Sequence, residues 1–230
     1  MTEQIIKMKK NELLITIINR FFSFEAEKGN QEEYSFDEFL GYLNSKSASQ
    51  ELEIRELSGE NNMWIKDENP TAKRDISILI VLMNRYAKWY IKKVLRESNL
   101  QTPDEFSFLI TLMTYDTLSK SELIAKQVME KTSGTEVLRR LIKRGLIVES
   151  EDAKDKRSIR VSITKSGTEE IIRILPLMKN VSEIVVGNLN AEEVNTLSYL
   201  LKKLDYFHND IYSNKKDQTM TDILSGIANR

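Results

Sequence analysis

The chain has 230 residues, 40% apolar and 30% charged, with a formal net charge of -1, enough for one packed core with an appendage. It holds no cysteine and one histidine, His208, which excludes disulfides, thiol redox sensing and the usual cysteine- or histidine-based zinc sites. Eight glycines and three prolines leave few turns, so the composition favours long helices over a many-stranded sheet.

The N-terminus is charged and interrupted, unlike a secretory leader. The most apolar run, residues 76–83, is too short to span a bilayer. A cytoplasmic protein with no membrane partner, no cofactor and no metal is expected. Charge is unevenly spread: residues 1–70 carry 14 acids against 8 bases, and residues 131–165 carry 10 bases against 5 acids. A run of like charge is most often a solvated face, and gains meaning only from the elements that carry it.

In chain order, residues 5–24 place Ile5, Ile6, Leu13, Leu14, Ile17, Ile18 and Phe21 at helical spacing. Residues 35–45 form a second helix, with Ser35 as N-cap and Glu38 three positions on. Residues 46–70 are polar and read as a linker. Residues 1–70 together make a helical N-terminal extension. Pro70 then opens a long helix to about residue 98. Its stretch through Ile76, Ile78, Leu79, Ile80, Val81, Leu82 and Met83 is apolar nearly all round and has to be buried by its own domain or by a partner chain.

Thr102, Pro103 and Glu105 spell a capping box with proline at the first helical position. Phe106, Leu109, Ile110 and Met113 follow on one face. Ser119 and Glu122 form a second box, before a short helix with Leu123, Ile124 and Val128 inward. A third helix starts at Thr132 or Ser133, carries Val137, Leu138, Leu141 and Ile142 inward, and ends at Gly145. The period then changes. Residues 146–148 favour a strand, residues 149–157 are charged, and residues 158–164 alternate with Ile159, Val161 and Ile163 on one face. That is a β-hairpin with a charged tip. Two helices follow, residues 166–187 and 190–213, the second capped by Asn190 with Glu193. Residues 214–230 read as a tail or a short terminal helix.

The order helix, short helix, helix, charged hairpin is that of a winged helix-turn-helix. The fold class expected is mainly α, with a short hairpin wing and long N- and C-terminal dimerisation helices. A helix fits the major groove of a duplex and enters it by its N-terminal half. Here that half carries Thr132, Ser133 and Thr135, whose hydroxyls either approach the groove or cap the helix. Arg139, Arg140, Lys143 and Arg144 follow within reach of phosphates, although four cations on one helix cannot all face the same duplex. At the wing, Asp155, Lys156, Arg157 and Arg160 are candidate contacts. Arg157 either enters a narrow minor groove or stays a surface arginine paired with Asp155.

Residues 102–167 resemble the MarR family of bacterial regulators. The likeness is carried by Asp155, Lys156 and Arg157, then Val161, Ile163, Thr164 and Gly167, and by Leu141, Ile142, Lys143, Arg144, Gly145 and Leu146. The resemblance implies a homodimer that binds a near-palindromic double-stranded operator as a repressor and is often released by a small effector. Residues 71–101 and 166–214 would form the dimer clasp, residues 102–165 the DNA-binding domain, and residues 215–230 a tail. Two positions depart from the family pattern. Gly134 either weakens its helix by ~1 kcal/mol against alanine or marks a close approach. Glu136 either accepts from a cytosine amino group or pairs with Arg139 or Arg140. Tyr86, Trp89, Tyr90, Phe108 and Tyr115 could line an effector pocket, with ordinary core packing as the alternative. No phosphate loop, nucleophile motif or histidine base points to an enzyme. The competing function is a winged helix used for protein contacts without operator DNA.

Overall fold

The structure is a computed structural model, and it describes residues 9–29, 33–48, 70–152 and 158–228. Most of the expected linker lies outside them. The chain divides into two compact units, Met1–Lys66 and Asp67–Arg230.

The first unit holds α1 (Lys10–Lys28) and α2 (Phe36–Ala48). Glu12 accepts from the Lys9 amide at the start of α1, and Glu38 does the same for Ser35 before α2. The two helices meet through aromatic rings. Phe24 is buried, with Phe39, Tyr34 and Tyr42 at ring separations of 5.3–5.5 Å. Phe21 sits edge-on to Phe39 and Tyr34. Leu13, Leu14, Ile17 and Ile18, expected on a covered face, are exposed. Only the C-terminal part of α1 reaches this aromatic cluster.

The second unit opens with α3 (Pro70–Leu95), followed by α4 (Pro103–Thr114), β1 (Leu118–Ser119), α5 (Lys120–Lys126) and α6 (Lys131–Lys143). Then come β2 (Ile147–Glu151), β3 (Ile159–Ile163), α7 (Lys165–Val186), α8 (Ala191–Asn214) and α9 (Met220–Ala228). The architecture is mainly α around a small antiparallel sheet of order β1-β3-β2. Both capping boxes form: Thr102 and Ser119 accept from the Glu105 and Glu122 amides, and each glutamate returns the bond to its cap amide. Asn190 and Glu193 start α8 in the same way.

The core gathers Phe108, Leu109 and Leu112 of α4, Leu123 and Ile124 of α5, and Val137, Leu138 and Leu141 of α6. Val161 of β3 and Ile171, Ile174 and Met178 of α7 complete it. The inward face of α4 differs from the expected one. Met113 is exposed and Phe106 and Ile110 are only partly buried, because the helix is turned to bring Glu105, Phe108 and Leu112 inside. The C-terminal part of α3, through Tyr90, Ile91, Val94 and Leu95, packs on this core. Its earlier turns leave Ile76, Leu79, Ile80 and Met83 exposed on the single chain.

Two turns fix the helix-turn-helix. After α6, Gly145 takes φ +66° and the Leu146 amide reaches back to the Leu141 carbonyl, the bond that satisfies a helix C-terminus through a left-handed residue. Between α5 and α6 the left-handed residue is Val128, with φ +50°. Its side chain, expected inward, is 63% exposed instead. A β-branched residue is strained there and little packing offsets it. Val128→Gly should therefore stabilise the protein by roughly 0.5–1 kcal/mol. Thermal melting monitored by circular dichroism checks this; a fall in the midpoint would mean that the valine makes a packing contribution exceeding its backbone strain.

Candidate nucleic-acid interface

α6 is held from behind by Val137, Leu138 and Leu141, and from the side by α5. Gly134 faces Ile124 so closely that a Cβ there would lie 2.5 Å from Ile124 Cγ1 and 2.8 Å from Cγ2. Of the two readings of Gly134, the structure supports close approach. The opposite face of α6 is open, with Thr132, Ser133, Thr135, Glu136, Arg139 and Lys143 exposed. The helix starts one or two residues earlier than expected, at Lys131, with Glu130 as N-cap. Thr132 and Ser133 therefore lie inside the first turn and do not cap it, while the Thr135 hydroxyl donates to the Lys131 carbonyl at 2.7 Å. At the positive end of the helix dipole, two hydroxyls thus face outward.

Further along this face, Arg139 donates twice to Glu136, both bonds at 2.8 Å. The Arg139 hydrogen bonds hold the Glu136 carboxyl below its ordinary value, and Glu136 raises Arg139 in return. Glu136 thus pairs with Arg139. The guanidinium has five N–H donors and keeps others for an external acceptor. Lys143 lies one turn further on.

Arg140 and Arg144 turn the other way. Arg140 Nε donates to Glu105 Oε1 at 2.7 Å, and Arg144 Nη2 donates to the same oxygen. Glu105 is fully buried. Arg140, expected to meet DNA, directs its guanidinium to this inner carboxylate and to Glu136, because an ionised group buried without partners would be far costlier than a cation withdrawn from the surface. Burial pushes the Glu105 carboxyl up, but the Gln101 amide and the two guanidinium groups outweigh it and hold it below the usual carboxylate range. Its stabilising contribution is therefore complete above the ordinary carboxylate value and is lost as pH falls through the lower folded value.

The wing is the ribbon of β2 and β3, paired from Ile147 with Ile163 to Glu151 with Ile159. The Asp152 amide and the Ser158 carbonyl close its described end at 3.0 Å. Val161 is buried and Ile163 half-buried, but Ile159 near the tip is exposed. Asp155, Lys156 and Arg157 lie outside the described residues. Arg160, also expected to reach DNA, is likewise turned to partners within the fold. It donates to Asp152 Oδ2 at 3.0 Å, to Thr117 Oγ1 at 3.2 Å and to the Thr117 carbonyl at 2.8 Å. It braces the wing against the turn before β1, the two-residue strand that pairs Leu118 with Val161. Lys120 adds a second tie to Glu149 at 2.6 Å.

Of the aromatic residues suggested as a pocket, Trp89 and Tyr90 meet edge to face with ring centroids 5.1 Å apart. Phe108 is in the core, and Tyr90 packs on its edge. Trp89 and Tyr86 are exposed on α3, with Lys93 over the Trp89 ring at 3.9 Å. Tyr115 lies beyond the end of α4 under Lys126. Core packing is the alternative that Phe108 and Tyr90 follow. The residues that the sequence did not reveal as part of this region are Asn99, Thr117, Asp152 and Glu170. Glu105 was visible as a capping residue, but not as the anchor of two arginines 35 and 39 positions away.

Residues 103–167 match a family model described as a winged helix DNA-binding domain. The HTH-type transcriptional repressor NicR of Pseudomonas putida is 31% identical over 103 residues, 45% of this chain and 65% of that protein. The match therefore spans a little under two thirds of NicR. The transcriptional regulator HosA of Escherichia coli is 28% identical over 103 residues, covering 45% of this chain and 76% of its own length. In structure, the chain is similar to a point mutant of MarR from Escherichia coli complexed with operator DNA, with a TM-score of 0.53 and 25% identity over 56% of this chain and 93% of that one. An outward-facing helix beside a braced antiparallel ribbon is the arrangement of a winged-helix DNA-binding domain, and over this region the chain is similar to MarR-type transcriptional regulators.

Proposed function

We propose that the protein is a homodimeric repressor that binds a specific double-stranded operator through α6 and the wing. The observation that carries this is the open face of α6. Thr132, Ser133, Thr135, Arg139 and Lys143 are exposed together, while every large apolar residue of the helix is turned to the core or its margin. Short hydroxyls at the groove-entering end and cations further along suit base edges and phosphates respectively. Residues 102–165 act as the DNA-binding lobe. Residues 71–101 and 166–214 act as the clasp, which would cover Ile76, Leu79, Ile80 and Met83 of α3 and Leu197, Leu200 and Leu204 of α8. An apolar surface of that extent on one chain favours a partner. The repressor role is carried over from NicR, and MarR is the relative whose structure holds operator DNA. Relief by a small effector belongs to the same proposal, with no pocket assigned. Among the described residues no helix is long and apolar enough to cross a membrane, in keeping with a cytoplasmic regulator.

The test is selection of bound fragments from host genomic DNA, followed by gel-shift titration of the recovered duplex over a range of salt. The logarithm of affinity should fall linearly with log salt, with a slope near -0.9 per phosphate neutralised. A wing used only for protein contacts would give no such slope. Arg157→Ala should weaken this duplex by about tenfold, the loss of one good groove contact, and leave the dimer intact by light scattering. Unchanged affinity would remove Arg157 from the interface.

A further inference from the structure

Glu105 and Glu170 are the two buried carboxylates among the described residues, and one continuous polar chain joins them. On α7, Arg173 donates to Glu170 at 2.6 Å and to the Glu97 carbonyl at 2.7 Å. Glu170 accepts the Asn99 amide at 2.8 Å and the Asn99 side chain at 3.1 Å. The Asn99 carbonyl accepts from Arg144, and Arg144 donates onward to Glu105. Glu105 also holds Arg140, which reaches Glu136, the partner of Arg139 on the open face of α6. The chain thus runs from a clasp helix to the groove-facing surface, through residues that are distant in sequence.

We propose that Glu105 and Glu170 are positioning residues that set the attitude of α6 for operator selectivity. This rests on the DNA-binding function proposed above. Arg140 and Arg144 are one turn apart near the C-terminus of α6, and both meet a single oxygen of Glu105. Two anchors on one carboxylate oppose both rotation about the helix axis and tilt. From Arg144 back to Ser133 the helix is ~16 Å long at 1.5 Å per residue. A tilt of roughly 5° at the anchor therefore moves the groove-entering end by more than ~1 Å, enough to spoil a hydrogen bond to a base edge. Phosphate contacts tolerate such a shift better, because they position the protein without reading sequence. Asn99 and Glu170 hold the anchor itself against α7. Apolar side chains could fill this interior without the cost of desolvating charge, so fixing one arrangement is the more fitting role for the ions.

The experiment uses the full chain, the duplex recovered from genomic selection, and a random-sequence duplex of equal length. Glu105→Gln and Glu170→Gln keep the shape of each side chain and remove its charge. Affinity for both duplexes is measured at a temperature where circular dichroism shows each variant folded. We expect the ratio of specific to random affinity to drop about tenfold in Glu105→Gln and about threefold in Glu170→Gln. Affinity for the random duplex should stay within about twofold of wild type, with its salt slope unchanged. The hydrogen bonds of Glu170 go to Asn99 and Arg173, neither of them in α6 nor assigned to the DNA, so a loss of selectivity there is not a lost DNA contact. Should Glu105→Gln fail to fold, Glu170→Gln decides alone. Unchanged ratios in the folded variants would overturn the positioning role and leave DNA binding standing. A wild-type chain that prefers no recovered fragment would defeat the DNA-binding proposal, and this one with it.

Discussion

Gly167→Ala is expected to destabilise the protein by about 3 kcal/mol, at the upper end of what over-packing costs. Gly167 lies in the first turn of α7, where its amide donates to the Thr164 hydroxyl at 3.1 Å. That start of the helix is pressed onto the start of β2: the Thr164 amide donates to the Leu146 carbonyl, and the Thr164 hydroxyl to the Gly145 carbonyl. A Cβ on residue 167 would collide with the Leu146 carbonyl oxygen and lie 2.8 Å from Ile163 Cγ1. The oxygen belongs to backbone already fixed by two hydrogen bonds, so it cannot retreat as a side chain can. For a unit of this size the thermal midpoint should fall by roughly 6–12 °C. Gly134→Ala gives a contrast. There the obstacle is the Ile124 side chain, and the gain in helix propensity of ~1 kcal/mol offsets part of the clash. Its midpoint should fall distinctly less. A Gly167→Ala protein melting with the wild type would mean that α7 can ride away from Leu146, and that the glycine is not required by the close approach.

The largest effect on binding is expected from reversing both outward cations of α6. Arg139→Glu with Lys143→Glu should lower affinity for the recovered duplex by at least about 100-fold at low salt. It should also flatten the salt slope by about 2, one phosphate contact for each residue lost. Both side chains are exposed, so melting should change little. Arg140→Ala is the counterpart. It removes a partner of the buried Glu105 carboxylate, and should cost stability while leaving the salt slope near that of wild type. A double reversal that binds as wild type, or an Arg140→Ala protein that loses slope instead of stability, would assign the outward face of α6 wrongly. Gel-shift titration and thermal melting on the same preparations separate the two.

Local chemistry accounts for what could be read early. The capping boxes at Thr102, Ser119 and Asn190 depend on residues three apart, and all three formed. Gly145 closes α6 because a left-handed residue is needed there. The alternation of Ile159, Val161 and Ile163 located β3, although only Val161 is fully covered. β1 went unseen because two residues carry no period. The inward face of α4 was misread because a charged residue, Glu105, faces the interior, and hydropathy alone turns such a residue outward.

The candidate interface divided along the same line. Thr132, Ser133, Thr135, Arg139 and Lys143 are outward simply because Val137, Leu138 and Leu141 are inward, a consequence of 3.6 residues per turn. The fates of Arg140 and Arg160 had no such local origin. In sequence they are cations like Arg139 and Lys143; in the folded chain Glu105, Asp152 and Thr117 claim them. By itself, then, the sequence determined the order of elements, the helix ends and the winged-helix class, since these follow from interactions within a turn or two of chain. Only tertiary structure decided which arginines serve the fold and which face outward, because a charge is drawn inward by whatever partner folding brings beside it. For Arg140 that partner, Glu105, lies 35 residues away along the chain, and for Arg160 the Thr117 carbonyl lies 43 residues away.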